Sequence, residues 1–180
     1  MAAVFKSVRR GGVAMALGQH DEAWLRHVFA EMLELLGEGE AAEDDPLAAA
    51  VGIGTATSAP EDPALARLFP DGYTDDAEAS ADFRRYTEPG LRQQKREALR
   101  TAVQTLTQER VTLTPEQAEA WLRALNDTRL VLGERLGVTE EWDELVADLE
   151  PEDPRLALFY VYDRLTYLQE MLVQALWSGS

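Results

Sequence analysis

The sequence predicts a mainly α fold, a helical bundle carrying a small three-stranded antiparallel sheet. Three observations predict it. Long stretches repeat apolar residues at helical spacing. Asp-Pro pairs at 45–46, 62–63 and 153–154 each offer an N-cap followed by proline at the first helical position. Brief period-two segments occur near residue 10 and at 111–113.

The chain opens as a hairpin. Residues 5–8 and 13–17 flank Arg9-Arg10-Gly11-Gly12, and Val13, Met15 and Leu17 alternate with small residues, as in a half-buried strand. The two glycines can supply the positive φ of a tight turn. Residues 21–36 form the first helix, where Leu25, Phe29, Met32 and Leu36 recur at helical spacing and Gly37 ends it. Residues 37–60 read as a loosely ordered acidic and Gly/Ala-rich segment, with at most a turn of helix at 47–51. Short helices are expected at 64–69 and 75–86. Gly90 interrupts, and a longer helix runs over 91–106. A strand at 111–113 pairs with the hairpin at one edge of the bundle. Thr114, Pro115 and Gln117 form a cap, an N1 proline and a capping box, which makes 115–136 the best-specified and most central helix. Thr139 caps a short acidic helix around Trp142 and Val146, and the last helix covers 154–176. The pentapeptide Glu-Ala-Trp-Leu-Arg occurs at 22–26 and again at 119–123. It reads either as coincidence or as a strand–helix unit used twice.

With 180 residues the chain is expected to be a single domain, 1–180. It carries 33 acidic and 17 basic residues, a formal net charge of −16. That balance disfavours a surface for phosphate backbones and favours neutral or basic partners. The absence of cysteine excludes disulfides, thiol catalysis and thiolate metal sites, and fits a cytoplasmic location. No run is long and apolar enough for a signal peptide or membrane span.

Arg129 is the residue that demands most. It sits in a stripe with Leu122, Leu125, Leu132 and Leu136, and a guanidinium drawn toward a core needs acceptors. Asp163 is the expected partner, with Glu170 and Asp127 as alternatives. The other readings are an arginine snorkelling to water and an anion site. On the last helix, Leu158, Val161, Leu165, Leu168, Leu172 and Leu176 form an aliphatic stripe, with Phe159, Tyr160, Asp163 and Tyr167 around the other side.

Chemistry is sparse. His27 and Glu31 share a helix face, but no second histidine stands one turn away, so no metal site is expected. No nucleophile signature or phosphate-cradling glycine loop occurs, so neither catalytic residues nor a cofactor are assigned. Arg92, Arg96 and Arg100 line one helix face as a candidate basic docking stripe. Its other reading is internal charge balance against acidic segments 38–45 or 140–153.

Three stretches carry a family resemblance: 116–137, centred on Trp121, Asn126 and Arg129; 158–169, with Asp163 and Tyr167; and Glu61-Asp-Pro-Ala-Leu65-Ala-Arg-Leu-Phe-Pro70. They resemble an actinobacterial domain-of-unknown-function family that includes the AosR-type oxidative-stress transcription regulator. The resemblance implies a regulator working with a sigma factor, and redox sensing through a cysteine pair. Without cysteine that sensing mechanism cannot operate here. Oxidation of Met15, Met32 or Met171 would be a substitute, although methionines on apolar faces more often fill cores.

The expected function is therefore that of a non-enzymatic, acidic regulatory or adaptor protein acting through protein–protein contacts, with a sigma factor as a candidate partner and homodimerisation open. Trp121, Asn126, Arg129, Asp163 and Tyr167 are its candidate structural or interaction residues. The alternative is a small-molecule binder or enzyme built around Arg129 and Asp163.

Overall fold

The computed structural model describes residues 4–37, 54, 56–107, 110–140 and 142–178. Most of the expected loose segment at 37–60, including its turn at 47–51 and the Asp45-Pro46 start, lies outside the described residues. Strands β1 (Phe5–Ser7), β2 (Val13–Met15) and β3 (Val111–Leu113) form an antiparallel sheet with β2 in the middle. Phe5 faces Met15, and Val13 faces Leu113. A short 3-10 turn, Arg9–Gly11, joins the hairpin, and only Gly11 uses a positive φ, 74°. Gly12 is needed for space instead, since a Cβ there would lie 3.1 Å from the Leu113 carbonyl oxygen.

The helices are α1 (Gln19–Leu36), α2 (Pro63–Leu68), α3 (Ala77–Thr105), α4 (Pro115–Leu136), α5 (Trp142–Ala147) and α6 (Arg155–Trp177). The long α4 is central: it packs against α6, α3 and α2, and touches α1 and β3. Its local signals act as written. Thr114 accepts from the Gln117 amide while Gln117 returns a bond to the Thr114 amide, and Gly137 closes the helix at φ 66°. Asp62 accepts from the Ala64 amide at 2.8 Å, so the second Asp-Pro start also caps as expected.

Trp121 is the centre of the core. It is fully buried, meets Phe5 and Phe29 edge-on, and donates its Nε1–H to Thr105 Oγ1 at 2.7 Å. Buried Leu25, Leu99, Leu113, Leu165, Leu168 and Leu172 pack in the same cluster. Met15 and Met32 are buried there and Met171 packs against it, so these methionines fill the core. The two Glu-Ala-Trp-Leu-Arg segments do not occupy equivalent places. Trp24 is half-buried with Leu25 buried, whereas Trp121 is buried with Leu122 half-buried. Each segment follows a strand of the one sheet, but the two helices turn different positions of it to the core.

The expected break at Gly90 is absent: α3 runs unbroken through Pro89 and Gly90. Proline in a helix interior cannot donate to the carbonyl four residues back, here that of Arg85. The amide of Gly54 takes that place, donating to the Arg85 oxygen at 2.9 Å. Any side chain at 54 would clash, because its Cβ would fall 2.9 Å from Pro89 Cγ. A distant glycine thus mends the helix, which no local pattern could announce.

Candidate functional site

The buried face of α4 carries Ala118, Trp121, Ala124, Leu125, Asp127, Thr128 and Val131, so its centre is rotated away from the expected Leu122–Arg129–Leu136 stripe. Arg129 lies at the shoulder of this face, half-buried, with its Nε shielded from solvent and without an acceptor. Its expected pairing is corrected. Asp163 is exposed; nine residues before Leu172 and two before Leu165, it projects from the side of α6 opposite the buried stripe. Glu170 is also exposed. Asp127 binds Lys95 Nζ at 3.0 Å instead, and burial pushes its carboxyl above the ordinary range while Lys95 pulls it back. Among the described residues no acid pairs with Arg129.

Trp121 is core and offers no surface. Asn126 Oδ1 accepts from Gln169 Nε2 at 3.4 Å, tying α4 to α6. Tyr167 is partly buried, and the guanidinium of Arg164 lies 4.8 Å above its ring. That arginine makes a two-pronged ion pair with Asp21 of α1, at 3.0 and 2.6 Å. Burial opposes ionisation of Asp21, but the bonds and charge of Arg164 overcome it and hold the carboxyl below the ordinary range. His27 and Glu31 form an exposed surface pair, and no metal-binding cluster occurs among the described residues.

The basic stripe is also corrected. Arg92 donates to the Leu36 carbonyl and to Glu88 Oε1, and its guanidinium lies 4.5 Å above the Phe69 ring. Arg96 donates to the carbonyls of Leu33 and Gly37. Helix α1 has no basic residue in its last turn, and the last carbonyls of a helix attract cations. Two arginines of α3 therefore cap α1, and only Arg100 remains exposed. Among the described residues their partners are carbonyls and Glu88, and the acidic segment 38–45 lies outside the described residues.

Sequence reasoning missed a buried ionic chain. Arg84 donates to Glu88 at 2.6 Å, to Asp71 at 2.7 Å and to the Phe69 carbonyl at 3.0 Å, and Glu88 also holds Arg92. The i, i+4, i+8 spacing of Arg84, Glu88 and Arg92 was the available signal. The Asp21–Arg164 pair, 143 residues apart, had none.

The described surface carries an apolar face and several grooves. The outer face of α3 exposes Phe83, Tyr86 and Leu91, and Tyr73 stands edge-on to Phe83. This face leads into a groove of about 360 Å³ whose walls include Leu91, Lys95, Leu122, Asn126, Gln169 and Val173. Two further grooves, of about 320 and 300 Å³, both touch Arg129, the first beside Arg67 and Tyr162 and the second beside Gln169 and Glu170. No described helix is long and apolar enough to cross a membrane.

Comparison with known proteins agrees with the resemblance. The model of a domain of unknown function (DUF2017) matches residues 1–176. Proteins named oxidative stress regulator AosR from Mycobacterium tuberculosis (strain H37Rv) and Mycobacterium bovis are each 34% identical over 178 residues, covering 89% of this chain and 80% of theirs. A Mycobacterium leprae protein given the same name provisionally is 37% identical over 175 residues, covering 87% of this chain and 79% of its own. No solved structure matches the chain. The chain belongs to the DUF2017 family, alongside proteins named as oxidative stress regulators.

Proposed function

We propose that this chain is a non-catalytic cytoplasmic regulator of transcription, folded as one domain, that works by docking a protein partner on the outer face of α3. The observation that carries this reading is the run of Tyr73, Phe83, Tyr86 and Leu91, exposed by 53, 43, 64 and 40%. Phe83, Tyr86 and Leu91 share one side of the helix. Aromatic side chains left in water on a shared face favour contact with a partner. Asp75, Asp76, Glu78 and Asp82, all exposed, stand around the aromatic end. The matching partner surface is an apolar stripe flanked by Lys and Arg, and attraction between unlike charges speeds the encounter. Relatives named as regulators support the regulatory part of the reading. A sigma factor is the partner class the family resemblance implies. The α3 arginines turned inward to cap α1 leave direct nucleic-acid binding without its stripe.

The test starts with a photo-crosslinking residue at Tyr86 in the native host under oxidative stress. The partner it marks is then purified and titrated with the wild type and with Phe83→Ala/Tyr86→Ala. The double variant should bind at least tenfold more weakly, and wild-type affinity should fall with salt. Equal affinity of the two proteins, or cross-links only to a second copy of the chain, would reject the docking face.

A further inference from the structure

We propose that the groove between α2, the C-terminal half of α4 and the start of α6 binds a small organic dianion, a dicarboxylate or a phosphate monoester, with Arg67 and Arg129 as its anchors. This inference does not depend on the docking face of α3. Acidic residues outnumber basic ones 33 to 17, so arginines here find carboxylates readily. Arg26, Arg84, Arg92, Arg123, Arg135, Arg155 and Arg164 all do so. Arg67 and Arg129 line one groove, and among the described residues neither forms an ion pair. Arg100 is likewise unpaired, but it lies on open surface. Arg129 is half-buried, and its Nε is shielded from water with no acceptor supplied by the protein. That Nε is as closed to a ligand oxygen as to water, so what the groove offers a ligand is the rest of a guanidinium whose charge no described acid neutralises.

The walls suit a small organic body. The groove holds about 320 Å³, at the lower end of ligand-site sizes. Leu130, Val138 and the ring of Tyr162 give it apolar sides. Gly133 lets α4 approach Tyr162 closely, since a Cβ there would lie 3.2 Å from Tyr162 Cε2. Glu134 also lines the groove, leaving the local balance of the three charged side chains at +1 in a chain of −16. A monoanion would satisfy one guanidinium; a dianion can engage both, in the fork geometry arginine favours.

Calorimetric titration of the full-length protein with succinate, and separately with inorganic phosphate, tests this. Wild type should show saturable one-to-one binding of at least one probe in the millimolar range or tighter. Saturation by succinate alone assigns a dicarboxylate, and saturation by phosphate alone a phosphate ester. Arg67→Ala, an exposed position that leaves the core untouched, should weaken binding at least tenfold, and so should Arg129→Met. Arg100→Ala should leave it unchanged. If Arg129→Met fails to fold, Arg129→Lys keeps the charge without the fork and should still weaken binding. Amide shifts at Gly137 and Val138 should saturate with the same affinity. Absence of saturation with both probes, equal displacement by chloride, or unaltered affinity in Arg67→Ala would overturn the site.

Discussion

Helices α3 and α4 lie against each other and are held in opposite ways. Everything that starts, orients and stops α4 is within its own sequence: Thr114, Pro115 and Gln117 at one end, Gly137 at the other, and Trp121 turned to the core between them. Helix α3 carries a proline and a glycine at its middle, and its continuity depends on Gly54, far away in sequence. Its polar residues are turned inward as well. Arg84 and Glu88 are buried, and Arg92 and Arg96 serve the end of α1. The lesson is that a helix can be written locally or assembled by its neighbours, and that only the first kind is visible in its own letters.

Four experiments can break or sharpen that contrast. The largest effect is expected at Glu88. Glu88→Ala strips Arg84 and Arg92 of their shared carboxylate and should cost about 3–5 kcal/mol, as for a buried pair left half-made. The matching change on α4, Glu119→Ala, removes only an exposed pair with Arg123 and should cost under about 0.5 kcal/mol. Urea unfolding of both variants compares them, and similar losses would show that Glu88 is no more embedded than a surface acid.

Next comes the mend in α3. Gly54→Ala puts a methyl group against Pro89 and should cost about 1–3 kcal/mol. Pro89→Ala restores a donor for the Arg85 carbonyl, so the two changes should be strongly non-additive. The Gly54 amide should exchange faster with deuterium in Pro89→Ala. Additive energies and unchanged exchange would mean that Gly54 does not hold α3 together.

The cap of α4 comes third. Thr114→Ala should cost about 1 kcal/mol by denaturant unfolding, with Thr114→Ser close to wild type. No loss would mean that packing alone fixes where α4 begins.

The smallest effect is in acid, where a carboxylate on α4 and one on α1 differ in sign. Burial raises the carboxyl of Asp127, on α4, so its ionised form opposes folding, and that penalty is relieved as pH falls through its raised value. Asp21 is held low by Arg164, so its contribution is complete above the ordinary aspartate range near ~4 and is lost as pH falls below it toward the lowered value. Asp21→Asn should therefore flatten the loss of stability below about pH 4. Asp127→Asn should alter the slope above it. Chemical unfolding from pH 3 to 7 reads both, and parallel curves for wild type and Asp21→Asn would remove the ion pair from the account.

Much of the molecule was legible before any coordinates. The three strands, the span and capping of α4, the start of α2 and the centrality of α4 all follow from short-range rules, because caps, N1 prolines and apolar periods act within one or two turns. The candidate site was legible only in part. Arg129 stood out as a cation needing acceptors, but its expected partner Asp163 projects from the outer side of α6, and Asp127 is taken by Lys95. Arg92 and Arg96 formed a plausible outward stripe until the end of α1, with no basic residue of its own, came to rest beneath them.

Sequence alone determined the fold class, most of the elements and the composition of this protein: a helical bundle with one small sheet, strongly acidic and without thiols, in which apolar residues at fixed spacing have to be withdrawn from water. Tertiary structure decided which charges meet. Hydrophobic burial is non-directional and can be read as a pattern along the chain. An ion pair or a replacement hydrogen bond depends on ångström-scale placement of groups as distant as Asp21 and Arg164, or Gly54 and Arg85, and only the folded chain provides it.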